Sequence, residues 1–210
     1  MTSRRPAGRP RRHNRDDLLD HIRKLWVQQG TSGVTIRALS EASGASNGAL
    51  YNAFGSRDGL LAAAWTREAS RFLDFQRESV ENTRTAGGSA ADMVVAAALT
   101  PAAYAAHDDL GARLLLAVTL DDLATGELTE PQRRELGGLR HTLSELISLL
   151  AQAQWDRPDA DAFTLIKYCI VDLPGALLLK AHKVTDPLAV HALEHAVRGI
   201  VSAPPPRPTS

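Results

Sequence analysis

The chain has 210 residues, 44% of them hydrophobic and 23% charged, and it contains one cysteine. This is enough sequence to bury a core without metal or disulfide staples, and a lone Cys169 excludes an internal disulfide framework. The formal net charge is zero, but residues 1–57 carry +6 and the remainder carries −6. This asymmetry indicates an anionic partner at one end of the chain, most commonly nucleic acid.

The apolar pattern argues against secretion and against a membrane partner. Residues 1–13 lack the apolar run and the small-residue cleavage site of a signal peptide. The most apolar stretch, residues 162–179, contains Lys167, Asp172 and Pro174, so we interpret it as a helix buried on two sides. We therefore expect a cytoplasmic protein.

Residues 1–13 contain five arginines, two prolines and no acidic residue. Such a segment cannot bury a core, so it predicts a flexible basic arm. Two roles stay open for this arm: a solvated tail, or an extension that follows DNA phosphates or enters a minor groove.

Residues 14–55 predict three helices that form a small domain. The first helix has apolar residues at the spacing of one helical face and ends near Gly33. Thr35 is placed to cap a short second helix, Gly44 supplies a turn, and Ser46 is placed to cap a third. Two short helices joined by a glycine-containing turn form a helix-turn-helix.

Residues 56–202 predict a larger helical domain. Ser56 is placed to cap a long fourth helix, residues 129–132 form a capping-box start, and Pro187 lies in the first turn of a last helix. No alternating run of apolar and polar residues predicts a strand, so we expect an all-α fold of about nine helices. Residues 203–210, with four prolines, predict a disordered tail.

The segment from residue 33 to residue 60, GVTIRALSEASGASNGALYNAFGSRDGL, resembles the DNA-binding signature of TetR repressors. The likeness extends over residues 15–61. Three positions depart from the family pattern: Ala45 replaces the usual Val, Ser40 a usual Ala, and Ala53 a frequent His. The resemblance implies an N-terminal DNA-binding domain and a helical C-terminal domain, with a variable effector pocket and a dimeric bundle of the last two helices.

A helix that enters the major groove, which is about 12 Å wide, needs small and polar side chains near its N-terminus. Asn47 is the main candidate for reading a base edge, since an amide pairs with adenine through both of its groups. The resemblance implies that Tyr51 contacts a phosphate, and helix starts also attract phosphate. Each of these side chains is alternatively a solvated polar residue. The predicted DNA-binding residues are Thr35, Arg37, Ser46, Asn47, Gly48, Tyr51, Asn52 and Arg57.

Six residues are candidates for lining an effector pocket, because they offer aromatic or polar groups among small apolar neighbours. Each is alternatively an ordinary core or surface residue. We expect a largely apolar small molecule as effector and no cofactor. The predicted ligand-binding residues are Met93, Tyr104, His107, Trp155, Lys167 and Tyr168.

Histidines near the C-terminus have a spacing that can hold a metal ion. His191 and His195 lie four residues apart, and His182 lies upstream. No cysteine or carboxylate set completes such a site, so we expect a solvated helix face and no metal.

A homodimer is predicted from the last two helices. Residues 163–179 are apolar nearly all round, and Pro174 is expected to kink this helix. The last helix carries an apolar stripe that predicts one side of a two-fold seam. Its residues are Ala189, Leu193, Ala196, Val197 and Ile200.

The sequence thus predicts a transcriptional regulator, most simply a repressor that releases a palindromic operator on binding an effector. An activator stays open. One alternative is a DNA-binding or architectural protein without small-molecule input, which should lack a ligand-sized pocket. A second is a helical enzyme, although the sequence contains no G-x-S-x-G, H-E-x-x-H or phosphate-binding glycine loop.

Overall fold

The computed structural model describes residues 14–118, 120–157, 159–179 and 183–206. The predicted basic arm at 1–13 and His182 lie outside the described residues. Of the predicted tail, residues 203–206 form no helix or strand, and residues 207–210 lie outside the described part.

Within the described residues the chain forms ten helices and no strand, which confirms the all-α prediction. The count exceeds nine because the five-residue α7 carries no capping signal in the sequence. The helices are α1 (Arg15–Gly33), α2 (Ile36–Ser43), α3 (Asn47–Phe54), α4 (Arg57–Thr85), α5 (Ala90–His107), α6 (Asp109–Ala117), α7 (Leu120–Ala124), α8 (Glu130–Trp155), α9 (Ala160–Leu179) and α10 (Pro187–Val201).

The three N-caps predicted for α2, α3 and α4 are present. The side-chain oxygen of Thr35 accepts the backbone N–H three residues later at 3.0 Å. Ser46 and Ser56 accept the equivalent N–H groups at 3.3 and 2.9 Å. These bonds fix where each helix begins, and therefore the angle at which α3 leaves the turn.

The turn between α2 and α3 is braced by serines. Gly44 adopts the left-handed conformation, with φ at +75°. Ser40 Oγ donates to the Ala45 carbonyl at 2.7 Å, and Ser43 Oγ accepts from the Ala45 N–H at 3.2 Å. Ser40, a departure from the family pattern, therefore adds a hydrogen bond to the turn, and Ala45 packs beneath it with 3% exposure.

Two clusters of buried residues organise the molecule. The first core joins α1–α3 to the first half of α4 and to parts of α6 and α8. Leu60, Leu114 and Leu136 belong to this core, so the predicted boundary between residues 14–55 and 56–202 crosses a continuous packed cluster. The second core contains α5, α9, α10 and the second half of α8.

Helix α9 changes its winding along its length. Wider π-helical turns at Tyr168–Asp172 and Gly175–Leu179 lie on either side of Pro174. The backbone N–H that proline lacks is therefore missing where the helical hydrogen bonds are already irregular. Cys169 on this helix is fully buried, and burial raises the pKa of its thiol to about 12. This is the environment of a core thiol.

By length and composition α9 is the one described helix that could cross a membrane, with a mean hydropathy of 1.6. One-third of that apolar window is buried inside the subunit. Core helices of soluble proteins can be equally long and apolar, so these properties are weak evidence for a membrane-spanning helix.

Helix α4 begins in close contact with the end of α3. A Cβ atom on Gly59 would overlap the Phe54 carbonyl oxygen and lie 2.7 Å from Gln132 Nε2. Gln132, on α8, donates to that carbonyl at 3.0 Å, and its Oε1 accepts the Thr129 N–H at 2.9 Å. The predicted capping-box residue therefore also fastens α8 to the end of α3.

We expect Gly59→Ala to lower the free energy of unfolding by about 1–3 kcal/mol, because the added methyl group must displace backbone. Urea unfolding measures this change. Gly137→Ala on α8 is the matched control, since a Cβ atom added there would meet no atom within 4 Å outside its own helix backbone. Equal stability of the two variants would contradict the close packing.

Candidate DNA-binding surface and effector cavity

Helix α3 presents two different faces. Leu50 and Phe54 are buried in the first core, at 0% and 1% exposure. The opposite face is open to solvent and carries five of the predicted DNA-binding residues, including a tyrosine that is 55% exposed. These residues are Ser46, Asn47, Gly48, Tyr51 and Asn52.

Two further predicted residues lie at the start of α2. Thr35 is half-buried because its hydroxyl caps the helix. The Arg37 side chain is 87% exposed and its Nε donates to Glu41 Oε1 at 2.9 Å. This hydrogen bond with Glu41 raises the pKa of the Arg37 guanidinium, so the side chain is held as one half of an exposed ion pair.

Arg57 has a structural role that the sequence did not reveal. Its Nε donates to the Val34 carbonyl at 2.9 Å, and a second guanidinium nitrogen donates to the Thr31 carbonyl. The residue therefore ties the start of α4 to the end of α1. Its phosphate contact stays a prediction, and the remaining N–H groups of the guanidinium are those available for it.

A cavity of about 320 Å³ lies beside α4. This volume is at the lower end of the range of small-molecule sites. Its walls are almost entirely apolar, and α5, α6, α8, α9 and the turn before α10 contribute to them besides α4. The lining residues are Trp65, Ala69, Phe72, Leu73, Gln76, Pro101, Tyr104, Ala112, Leu115, Leu116, Leu139, Arg140, Leu143, Ile170, Val171, Pro174, Leu179 and Val184.

Of the six predicted ligand-binding residues, Tyr104 is the one that the structure places in the cavity wall. Its ring lies edge-on to Phe72 and at a steep angle to Phe75, with centroids 5.5 Å apart in both pairs. The residue is 3% exposed. Tyr104 therefore belongs to an aromatic cluster between α4 and α5.

Three of the other predicted residues pack elsewhere in the interior or at its edge. Met93 is buried in the second core, and Trp155 packs against that core. The His107 ring stacks on Phe75 at a centroid distance of 5.2 Å, outside the cavity lining. Their polar or aromatic character is explained by packing.

The last two predicted residues lie on the outer side of α9. Lys167 Nζ pairs with Asp172 at 2.7 Å, and Tyr168 is 47% exposed. Side-chain type alone therefore does not locate the cavity lining. The stripe on α4 gives a stronger signal, because residues 65, 69, 72, 73 and 76 share one helical face and all line the cavity.

A buried carboxylate lies between α4 and α1. Glu68 is fully buried, and three guanidinium groups surround it: Arg71 at 3.0 Å, Arg23 at 3.6 Å and Arg67 at 3.7 Å. Burial raises the pKa of Glu68 above its usual range, although the three arginines oppose this shift. Arg23 also pairs with Asp108 at the start of α6, so one cluster joins α1, α4 and α6.

The Tyr104 hydroxyl reaches this charge cluster from the cavity side. Burial, followed by the charges of Glu68 and Asp108, raises the pKa of Tyr104 to about 12, so the hydroxyl stays neutral. A Cβ atom on Gly111 would lie 2.7 Å from Glu68 Oε2 and 3.0 Å from the hydroxyl. The glycine lets α6 close over the cluster, and the Tyr104 hydroxyl lies beside the cluster without a hydrogen-bond partner.

The His191 and His195 rings lie 4.1 Å apart, and His195 Nδ1 lies 2.9 Å from the His191 carbonyl oxygen. In the part of the chain that the structure describes, no three histidine, cysteine or carboxylate side chains come together as metal ligands do.

Residues 18–64 match the family model of the bacterial regulatory proteins of the tetR family. This N-terminal segment, from α1 into the first turns of α4, is therefore TetR-like. A curated TetR-like relative is the HTH-type transcriptional repressor AcnR of Corynebacterium glutamicum, which is 32% identical over 73 residues. That likeness covers 35% of this chain and 39% of AcnR, so it spans well under half of the relative.

Solved TetR-like structures extend the likeness to the whole fold. PfmR from Thermus thermophilus superposes with a TM-score of 0.61 at 15% identity, over 89% of this chain and 97% of its own. FadR from Bacillus subtilis, solved in complex with stearoyl-CoA, gives 0.60 at 12% identity, over 88% and 95%. At these identities the comparison shows a shared fold.

We expect Glu68→Gln to lower the free energy of unfolding by about 1–3 kcal/mol, because the surrounding arginines lose a buried ionic acceptor. Chemical denaturation at neutral pH measures this loss. Glu81→Gln on the same helix serves as the control, since its pair with Arg84 is exposed and its removal should leave the midpoint unchanged. Coincident midpoints for the two variants would show that the buried cluster is not stabilising.

Proposed function

We propose that this protein is a cytoplasmic, DNA-binding transcriptional repressor that releases a palindromic operator when a small molecule binds. The observation that carries the proposal is the exposed face of α3, which combines small polar residues with an exposed tyrosine above a buried apolar face. The AcnR repressor supports the same role for the matched N-terminal segment. This role is that of a regulator rather than an enzyme.

The exposed residues divide into those that position the protein and those that read sequence. Tyr51 and the first-turn amides of α2 and α3 suit phosphate, because helix N-termini leave N–H groups unpaired and carry partial positive charge. Asn47 suits a base edge, where a bidentate amide contact discriminates by about 1–3 kcal/mol. Phosphate contacts set the register, and Asn47 supplies sequence preference.

The cavity supports an effector-responsive mechanism. The alternative of a DNA-binding protein without small-molecule input predicts no ligand-sized pocket, whereas the cavity measures about 320 Å³. FadR, with the same fold, was solved with a bound acyl-CoA. We infer that a small molecule occupies the corresponding space in this protein.

Helix α4 provides the route from the cavity to the DNA-binding domain. Arg67 donates to the Asp16 carbonyl at 3.0 Å and to Asp20 Oδ1 at 2.7 Å, and Glu68 binds Arg23 in the neighbouring turn. Both residues lie within the stretch of α4 that lines the cavity. A ligand that shifts α4 therefore shifts α1 with it, and operator affinity falls if the ligand prefers the shifted arrangement.

A homodimer is part of the proposal. Leu188 is 73% exposed and Leu149 is 51% exposed, and both suit a subunit interface better than solvent. Leu193 and Val197, from the predicted stripe of α10, are already fully buried within the subunit. A seam therefore uses a different face of α10, together with the outer side of α9 that carries Tyr168.

The first test is binding to the intergenic DNA upstream of the gene, compared with random DNA of equal length at two salt concentrations. We expect a preference for the upstream DNA that persists at the higher salt, because base contacts depend less on counterion release than phosphate contacts do. Equal, salt-sensitive binding to both DNAs would contradict a specific repressor of its own locus.

A sharper test uses Gly48, at the start of α3, where no atom lies within 4 Å of a built Cβ. Gly48→Ala should stabilise the free protein by roughly 0.5–1 kcal/mol, since alanine favours the helix. It should nevertheless weaken operator binding at least several-fold, because the methyl group meets DNA. Fluorescence anisotropy with labelled operator measures the affinity.

Gly138→Ala on α8 is the matched control for this experiment, because that position is also helical, exposed and open. It should stabilise the protein similarly and leave DNA affinity unchanged. Unaltered affinity of Gly48→Ala would remove α3 from the DNA interface.

A further inference from the structure

A proline in α5 leaves one buried carbonyl without its helical partner. Pro101 lies inside the helix and has no N–H to donate to the carbonyl four residues earlier, which belongs to the fully buried Ala97. Gln76 Nε2, on α4, donates to that carbonyl at 2.9 Å. The α4 side chain therefore replaces the hydrogen bond that the proline removes.

This bond fixes the orientation of the Gln76 amide. The reverse orientation would place Oε1 against the Ala97 carbonyl oxygen, so that two acceptors would face each other. Oε1 is accordingly held on the other side of the amide, where it is buried and has no hydrogen-bond partner among the described residues. Gln76 is 1% exposed and forms part of the cavity wall. Six other buried side-chain atoms of the described residues also lack a partner, and of these only the Tyr104 hydroxyl belongs to the same cavity wall. Buried acceptors are usually paired, so Gln76 Oε1 in this wall points to a donor supplied by a ligand.

The remaining wall restricts the chemistry of that ligand. Trp65, Phe72 and Leu73 make the α4 side of the cavity aromatic and aliphatic. A carboxylate placed here would meet the lone pairs of Gln76 Oε1, and the neutral Tyr104 hydroxyl is the one unpaired donor in the described lining. The cation of that lining, Arg140, is exposed. An anionic group would therefore lose its hydration without a buried cation to replace it.

We propose that the effector is a compact, neutral and largely apolar molecule whose hydroxyl or N–H group donates a hydrogen bond to Gln76 Oε1. This inference rests on the proposed effector-responsive function and names the ligand class for the same cavity. Gln76 is then the residue that determines specificity for a donor, and the aromatic side chains supply most of the contact area.

The test compares four probes that share one apolar body: naphthol, methoxynaphthalene, naphthalene and naphthoate. Isothermal titration calorimetry on the full-length protein gives each Kd, and decanol with its methyl ether repeats the comparison on an aliphatic body. We expect naphthol to bind roughly threefold to tenfold more tightly than methoxynaphthalene, as one hydrogen bond accounts for, and naphthoate to bind most weakly.

The variants for this test are chosen so that no buried backbone carbonyl is left unpaired. Gln76→Met alone leaves the Ala97 carbonyl unpaired, so it is combined with Pro101→Ala, which restores the N–H that α5 lacks. Pro101→Ala alone is the matched control and should keep the preference for naphthol. In the double variant, naphthol and methoxynaphthalene should bind with about equal Kd. Thermal unfolding of both variants checks that they are folded.

Three results would overturn the inference. Equal binding of naphthol and methoxynaphthalene would remove the donor requirement and leave effector binding intact. Tightest binding of naphthoate would assign the cavity to anions. No binding of any probe would remove the ligand class, and the upstream-DNA measurement, which needs no ligand, would report separately whether the repressor proposal stands.

Discussion

Helix α4 has to satisfy two packing environments at once, and the arrangement of the other helices depends on this. Its first turns complete the core beneath the helix-turn-helix, where Leu60 is fully buried. Its middle turns form a wall of the cavity through Trp65 and Phe72. Because a helix is stiff, a displacement at one end is felt at the other. Gly59 packs closely against the end of α3, so little free space remains there to absorb such a movement.

Two buried polar side chains of α4 lie where this helix packs against a neighbouring helix. Glu68 is fully buried among arginines from α1 and α4, although its own burial raises its pKa. Such a cluster favours one orientation of α1, since any other would leave buried charges unpaired. Removing one partner is therefore destabilising, although a set of apolar residues of the same volume is often as stable as the intact cluster. Gln76 has a comparable position between α4 and α5, with one half of its amide satisfied and the other not. Both side chains therefore join α4 to a neighbouring helix inside an otherwise apolar interior.

The sequence predicts the DNA-binding domain well because local rules decide it. The caps at Thr35, Ser46 and Ser56 are present as predicted, since each requires only a side chain and a backbone N–H three residues away. The cavity was harder to predict because its walls come from helices far apart in sequence, and only Tyr104 of the predicted lining contributes. Arg57 shows the same limit: its backbone partner Val34 is 23 residues away, so its role in joining α1 to α4 appears only in three dimensions.

The composition of α3 bears on how such a regulator achieves specificity. Its exposed face offers two amides, Asn47 and Asn52, among serine, glycine and alanine, so in the proposed role a single copy would read few bases directly. In the proposed complex, close approach of the backbone would favour DNA of the right shape, and the second copy of a dimer would double the free energy of discrimination when both helices engage. It follows that an effector need not unfold either helix. Under the proposed mechanism, a change in the spacing of the two α3 helices of a dimer, produced through α4, would be sufficient to lose the combined contribution of the pair.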